Sequence, residues 1–423
     1  MSRDTSVKRH ISYKRVGRLG LFALAPAIAA VSPLVTLPAI TSAFGSGGWS
    51  AIAVGFSVGG AAATVIEMGW GLTGPQAAAA QYRTRTSNLI ALSLATRCIV
   101  MPLVGTVAAL VAFIASPSYP VVSLMAAVAT SVGGLGFPWL YIGLNKPLLL
   151  LANDVAPRVL GSVSGALILG LGGKLVFVPI MQAVSALYII AAGLVWSHLT
   201  LADLRSIDRF DFRRIFRLQL AAMSGRLASA VYIALPTTLV ALVAPGSVAI
   251  FAAVDRVQRT LLNGLSALPN SMQSYVALAP PGQTRSRLYK TVLLNVAAGA
   301  TAGVLLVVFA TSVYSFLFSG TIHPTLFAVC SSALIITATC MSRATGGLVL
   351  VKLDRVGSVA ISAVVGSIIG LTGIVLGGHL GGYEGALAAM ALAELSVLAT
   401  QTATLTRFRQ LGTQLRTETS ASR

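Results

Sequence analysis

Twelve apolar runs, each about as long as a bilayer-crossing helix, follow one another along this chain with only short connections between them. They fall near residues 18–41, 50–73, 88–115, 120–143, 150–172 and 175–198, then 219–243, 248–278, 291–318, 325–350, 356–378 and 382–405. About 20 apolar residues span the hydrocarbon layer as a helix. Inside that layer every backbone N–H and C=O must find a partner without water, which favours helices. The pattern predicts an all-α polytopic membrane protein with about 12 transmembrane helices. Composition agrees: of 423 residues, 56% are apolar and 10% charged, where a soluble domain carries roughly 25% charged. No connection is long enough to be a soluble domain.

The formal charge of +19 would suggest nucleic acid in a soluble protein. Here the positive charge lies in short loops, where orientation and anionic headgroups explain it, and no nucleic-acid motif accompanies it. With the N-terminus inside, 24 of the 30 Lys and Arg fall in cytoplasmic segments and one, Lys174, falls outside. The other five, Arg97, Arg226, Arg256, Arg259 and Arg343, lie within spans. This bias predicts that both termini are cytoplasmic, and the expected location is the cytoplasmic (inner) membrane. The basic start precedes an apolar run too long for a signal peptide and interrupted by Pro26, Pro33 and Pro38, so it reads as an uncleaved first span. Cys98, Cys330 and Cys340 make no metal or disulfide pattern and read as packing residues. No cofactor or metal is expected.

The halves echo one another. Leu37-Pro38 recurs as Leu235-Pro236 at an offset of 198, and Gly161-Ser162-Val163 as Gly357-Ser358-Val359 at 196. Two parallel six-helix bundles around a central cavity follow as the expected plan. The divisions are a basic cytoplasmic N-terminus (1–17), a first bundle (18–198), a cytoplasmic linker (199–218), a second bundle (219–405) and a cytoplasmic tail (406–423).

The eighth run contradicts its surroundings by carrying Asp255, Arg256 and Arg259. On a helix turning ~100° per residue, with Asp255 at zero, Arg259 falls near ~40°, Arg256 near ~100° and Asn263 near ~80°. Ser266, Asn270 and Gln273 fall near ~20°, ~60° and ~0° by the same arithmetic. Ionisable groups at the centre of a membrane helix cost roughly 2.5–3.5 kcal/mol each on insertion scales, so they face protein or water. An Asp255–Arg259 pair that only holds helices together would explain two residues. A helix lining a wet cavity explains the whole stripe.

Other polar residues divide by depth. Arg97, Arg226 and Arg343 lie near cytoplasmic ends, where snorkelling suffices, although Arg226, in the seventh run, leads toward the polar eighth run. Glu394, like Arg259, lies close to midplane. Glu67 shares a face with Ser57, Gly60, Thr64 and Gly71, which suits either tight packing or a cavity wall. Asp255, Glu394 and Glu67 are candidate proton or sodium acceptors.

Phe137-Pro138-Trp139-Leu140-Tyr141-Ile142-Gly143, then Arg158 and Gly161, then Val178-Pro179, resemble the fourth-to-sixth-span pattern of Wzx-type flippases. The segment from Val248 to Tyr275 is similar to their eighth span. The family glutamine after the aromatic segment is absent, with Leu144-Asn145-Lys146 in its place. The resemblance is to the multidrug/oligosaccharidyl-lipid/polysaccharide exporter superfamily over about residues 15–408. It implies a flippase moving a polyprenyl-diphosphate-linked oligosaccharide to the outer leaflet, for a polysaccharide polymerase or ligase to use. Guanidinium groups suit a diphosphate because they stay charged and donate bidentately. Arg259, with Arg256 or Arg226, is then the expected diphosphate contact, and Asn263, Ser266, Asn270 and Gln273 are expected sugar contacts.

The alternative within transport is a cation-coupled multidrug-type antiporter of the same superfamily. Five intramembrane arginines count against it, because they repel cationic substrates. A membrane polymerase or ligase would need a large external loop with catalytic charges, and the external turns are short and nearly uncharged. Asp208 and Asp211 sit among arginines in the longest cytoplasmic loop and read as solvated surface. An enzyme is not expected.

Overall fold

The computed structural model describes residues 28, 32–80, 86–280 and 283–421, with side chains described there except at 32–33, 86, 201, 224–231, 274, 277 and 407–421. The N-terminal segment 1–17 and most of the first predicted span, including Pro26, lie outside the described residues. Among those described, all regular structure is helical. The chain forms two compact units, Met1–Thr238 with Phe316–Thr321, and Leu239–Ser315 with Ile322–Arg423.

In the first unit, helix α1 (Leu37–Glu67) breaks at Gly45, where φ is 62° and ψ is −162°. Glycine takes that backbone region freely and other residues do not, so the break falls where the first two predicted spans meet. Helices α2 (Thr86–Ile114) and α3 (Pro120–Val132) pack on α1. The α1–α3 contact is close because Gly55 and Gly59 have no side chain. A Cβ at either would run into the carbonyls of Ser123 or Ala127.

After α3 the chain makes a 3-10 turn, Gly133–Leu135, and restarts as a short helix at Pro138–Gly143. A single π turn, Leu151–Val155, leads into α4 (Ala156–Gly170), and α5 (Phe177–Trp196) packs back on it. The Ser185 hydroxyl donates to the Pro157 carbonyl at 2.8 Å across that contact. The aromatic segment is core: Phe137 and Trp139 are buried with Trp70, Leu89 and Ile90. The two indoles lie 5.2 Å apart, and Trp70 Nε1 donates to Thr96 Oγ1 at 3.1 Å.

A capping box at Thr200 and Asp203 starts the short helix Leu201–Arg205. Hydrogen bonds from the Thr200 hydroxyl and backbone N–H hold the Asp203 carboxyl below its ordinary pKa. Asp208 and Asp211 have a local role. The Asp208 carbonyl accepts the Phe212 N–H at 2.9 Å, and Asp211 lies in the first turn of α6 (Arg209–Ala234), where a negative charge suits the helix dipole. This helix belongs with the first unit. Gln219 bonds Thr73 at 2.9–3.0 Å, and Ser57 donates to the Ala234 carbonyl at 2.6 Å while accepting from Thr238 at 2.8 Å.

The second unit holds α7 (Val248–Leu265), α8 (Ala267–Ala277), α9 (Thr284–Val308), α10 (Leu326–Ala344) and α11 (Val356–Ala421). Helix α10 continues through a π turn, Thr345–Leu350. Gly299 and Gly303 let α9 and α10 pack at close range. Helix α11 has 66 residues, which unbroken would be ~100 Å at 1.5 Å per residue against a ~30 Å hydrocarbon layer. It is two passes, because Gly381 and Gly382 leave helical geometry, Gly382 with φ 58°. Beside the break the backbones of Gly377 and Gly385 touch.

Seven described helices are long and apolar enough by themselves to cross a membrane. Other predicted spans are present in pieces: 150–172 around its π turn, 219–243 parted before Pro236, and 248–278 parted at Ser266. One sequence echo has a local counterpart, since Leu37-Pro38 and Leu235-Pro236 both stand where a helix begins, Leu37–Glu67 and Pro236–Val243. The other has none. Gly161 is inside α4 whereas Gly357 is at the very start of α11, so the Gly-Ser-Val match joins positions at different depths.

Candidate functional site

The polar stripe is present but in two parts. In α7, Phe251 to Asp255, Val257 and Gln258 are all buried, so this stretch is enclosed on nearly every side. Arg259 Nε donates to Asp255 Oδ2 at 2.7 Å, four residues apart in the favourable order. The second Asp255 oxygen, Arg256 Nε and Gln258 Oε1 are buried without a hydrogen-bond partner among the described residues. Three such atoms within one turn make this an unusually costly polar cluster. Gln258 was not part of the predicted stripe, because its wheel position is ~60° to the far side of Asp255. Arg226 lies in α6 at a position whose side chain is outside those described.

Helix α7 ends at Leu265 and α8 begins at Ala267, with Pro269 in its first turn, where a missing N–H costs little. Past this junction the stripe meets a cavity of about 450 Å³. Ser266, Asn270 and Gln273 line it, whereas Asn263 is exposed and does not. Facing them are Ser342 and Arg343 from α10, and Ser362 and Gln401 from the two passes of α11. Pro269, Leu348, Val359 and Val397 supply an apolar share. At about 450 Å³ the cavity falls within the ~300–1,000 Å³ usual for ligand pockets.

Gln401 organises one wall. Its Nε2 donates to Ser342 Oγ at 3.2 Å and to Ser362 Oγ at 3.3 Å, and its Oε1 accepts a short hydrogen bond from Thr345. Gly346 in the π turn comes so close to this amide that a side chain there would strike it. None of Gln401, Ser342, Ser362 and Thr345 stood out in the sequence. A signal was available, since Glu394, Val397 and Gln401 are spaced three and four apart and share one helix face.

Arg343 is tied to a neighbouring helix. Its Nη1 donates to the Leu262 carbonyl at 2.6 Å, reaching the end of α7. Glu394 is within electrostatic range of it. Arg97 departs from the snorkelling expectation, being 0% exposed. Its Nη1 donates to Gly134 O at 3.1 Å and Gly136 O at 2.7 Å, and its Nε to Ser93 O at 3.1 Å. Its guanidinium also lies 5.0 Å from the Phe137 ring centroid. Arg97 therefore satisfies carbonyls that the 3-10 turn frees.

Elsewhere in the first unit, Glu67 ends α1 within electrostatic range of Arg97. The small-residue face drawn around Glu67 is mixed. Ser57 meets α6 through the Ala234 carbonyl, but Gly60 faces open space. Arg158 pairs with Asp154 at 2.9 Å, beside the π turn, a pair that sequence reasoning missed.

No protein-family model matches this sequence, and no curated protein matches it. Solved structures do. The inward-facing conformation of a multidrug resistance MATE family transporter of the MOP superfamily is 13% identical with a TM-score of 0.66, covering 92% of this chain and 99% of that one. The lipid II flippase MurJ in its inward closed conformation is 11% identical with a TM-score of 0.72, covering 91% and 87%. At such identities the likeness is one of fold. The chain shares the fold of these two proteins over nearly its whole length.

Proposed function

We propose that this protein is a flippase that moves a polyprenyl-diphosphate-linked oligosaccharide from the inner to the outer leaflet for surface polysaccharide assembly. The observation that carries this reading is the lining of the second-unit cavity, which includes an arginine, hydroxyls and amides and no carboxylate. Such a surface suits sugar hydroxyls and phosphate oxygens and gives an organic cation no counter-charge. In this reading Arg259, with Arg256 or Arg226, takes the diphosphate once Asp255 lets go, and Ser266, Asn270 and Gln273 meet sugar. Asp255, Glu394 or Glu67 would carry the coupling ion.

A second reading is a cation-coupled antiporter of the multidrug type. It is favoured by the match to a MATE transporter over 99% of that protein's length, against 87% for the flippase. The deciding experiment is leaflet-resolved detection of lipid-linked oligosaccharide in cells lacking this protein, with wild type or Arg259→Ala restored. Inner-leaflet accumulation relieved by wild type alone is expected. Accumulation relieved equally by Arg259→Ala moves the diphosphate contact elsewhere. No accumulation, in cells with no redundant flippase, turns the assignment to the antiporter.

A further inference from the structure

We propose that the cavity of the second unit is a binding site for the phosphate head of a membrane amphiphile, anchored by Arg343. This rests on the proposed function's reading of the same cavity lining and names the residue that holds the phosphate there.

The donors at this cavity outnumber what the protein uses. Arg343 makes one hydrogen bond, from Nη1 to Leu262 O, and its other guanidinium N–H groups bond no described residue. Ser342, next to it, accepts from Gln401 and retains its own hydroxyl hydrogen. The side chains of Asn270 and Gln273 line the same space and make no hydrogen bond to a described residue. Guanidinium, hydroxyl and amide donors converging without a lining carboxylate recognise an oxyanion, and a permanently charged planar fork favours phosphate.

The walls decide what carries the phosphate. Leu348, Val359 and Val397 give the cavity an apolar side, which a free inorganic ion would not use. Depth agrees, because Arg343 is ~26 Å along α10 from Leu326 at 1.5 Å per residue, close to the far edge of a ~30 Å hydrocarbon layer. On the topology expected from the basic loops that edge is the cytoplasmic one. A phosphate held there can keep its tail in the bilayer. The π turn at Thr345–Leu350 reshapes this wall, and such turns recur at functional sites.

Glu394 sets the limit. It lies one turn from Val397 along α11, outside the cavity lining, and it is within electrostatic range of Arg343. It balances the guanidinium when the cavity is empty and repels a phosphate when it is filled.

The same phosphate chemistry has two sources, an isoprenoid phosphate and a bulk anionic phospholipid. The test uses the purified full chain in non-ionic detergent, titrated separately with a short-chain isoprenoid diphosphate, a short-chain phosphatidylglycerol and the matching isoprenoid alcohol. Binding of at least one phosphate ligand, weakened about tenfold or more in Arg343→Gln, partly kept in Arg343→Lys and tightened in Glu394→Gln, is expected. Isoprenoid diphosphate alone binding supports a site for the transported class of headgroup, while phospholipid binding, alone or also, supports a lipid-headgroup site. Equal affinity of wild type and Arg343→Gln overturns the proposal, as does alcohol binding as tightly as diphosphate. Should Arg343→Gln fail to fold, unchanged affinity in Glu394→Gln overturns it instead.

Discussion

Arg97 gives two of its backbone hydrogen bonds to carbonyls 37 and 39 residues away in sequence. Nothing local announces them, and so depth alone suggested snorkelling. The charges inside spans were legible one by one, but their partners were not, because those come from breaks in other helices. Gln258 and Gln401 were passed over for a related reason, since neutral amides do not stand out against apolar runs as arginines do. Replacing Arg97 by Leu strands the Gly134 and Gly136 carbonyls in a dry environment, at about 1–3 kcal/mol for each unsatisfied group. Thermal unfolding in detergent is expected to shift down clearly for Arg97→Leu and less for Arg97→Lys, which keeps the charge but loses the separate Nε donor to the Ser93 carbonyl. Unchanged stability in Arg97→Leu would contradict the role assigned to it.

Helices were the most readable level. Run length placed nearly every described element, and Gly381-Gly382 and Pro236 mark breaks that the residues themselves require. The stripe was drawn on an uninterrupted helix, and the junction at Ser266 redirects everything beyond it. Pro269, in the first turn of α8, was the clue that a new helix begins there. The π turns carry no comparable residue signal. Which glycines hold helices together also needed the structure. Gly55→Leu or Gly59→Leu drives a side chain into α3 and is expected to lower both yield and thermal stability, whereas Gly60→Ala faces open space and should be neutral. Equal tolerance at all three positions, measured by folded yield from detergent, would refute the α1–α3 contact as described.

At the scale of the molecule, a recognisable fold survives at 11–13% identity to transporters of known structure. Span length and basic loops follow from the bilayer and not from particular side chains, so they persist at such identities. That is also why the fold could be read where the site could be read only in part. Topology rests on the distribution of basic loops and is open to direct measurement. Ser46 and Gly246 are exposed beside helix breaks on the expected outer side. Ser46→Cys and Gly246→Cys should each react with an impermeant thiol reagent added to intact cells, and silence at both would invert the orientation. The bond between Asp255 and Arg259 has an electrical consequence as well. A lone guanidinium moved across the full membrane field exchanges about 2.3 kcal/mol per 100 mV. Joined at 2.7 Å, the two groups travel as a dipole, and a shift of their helix takes almost nothing from the voltage. Within that turn Arg256 is the whole charge left to feel it.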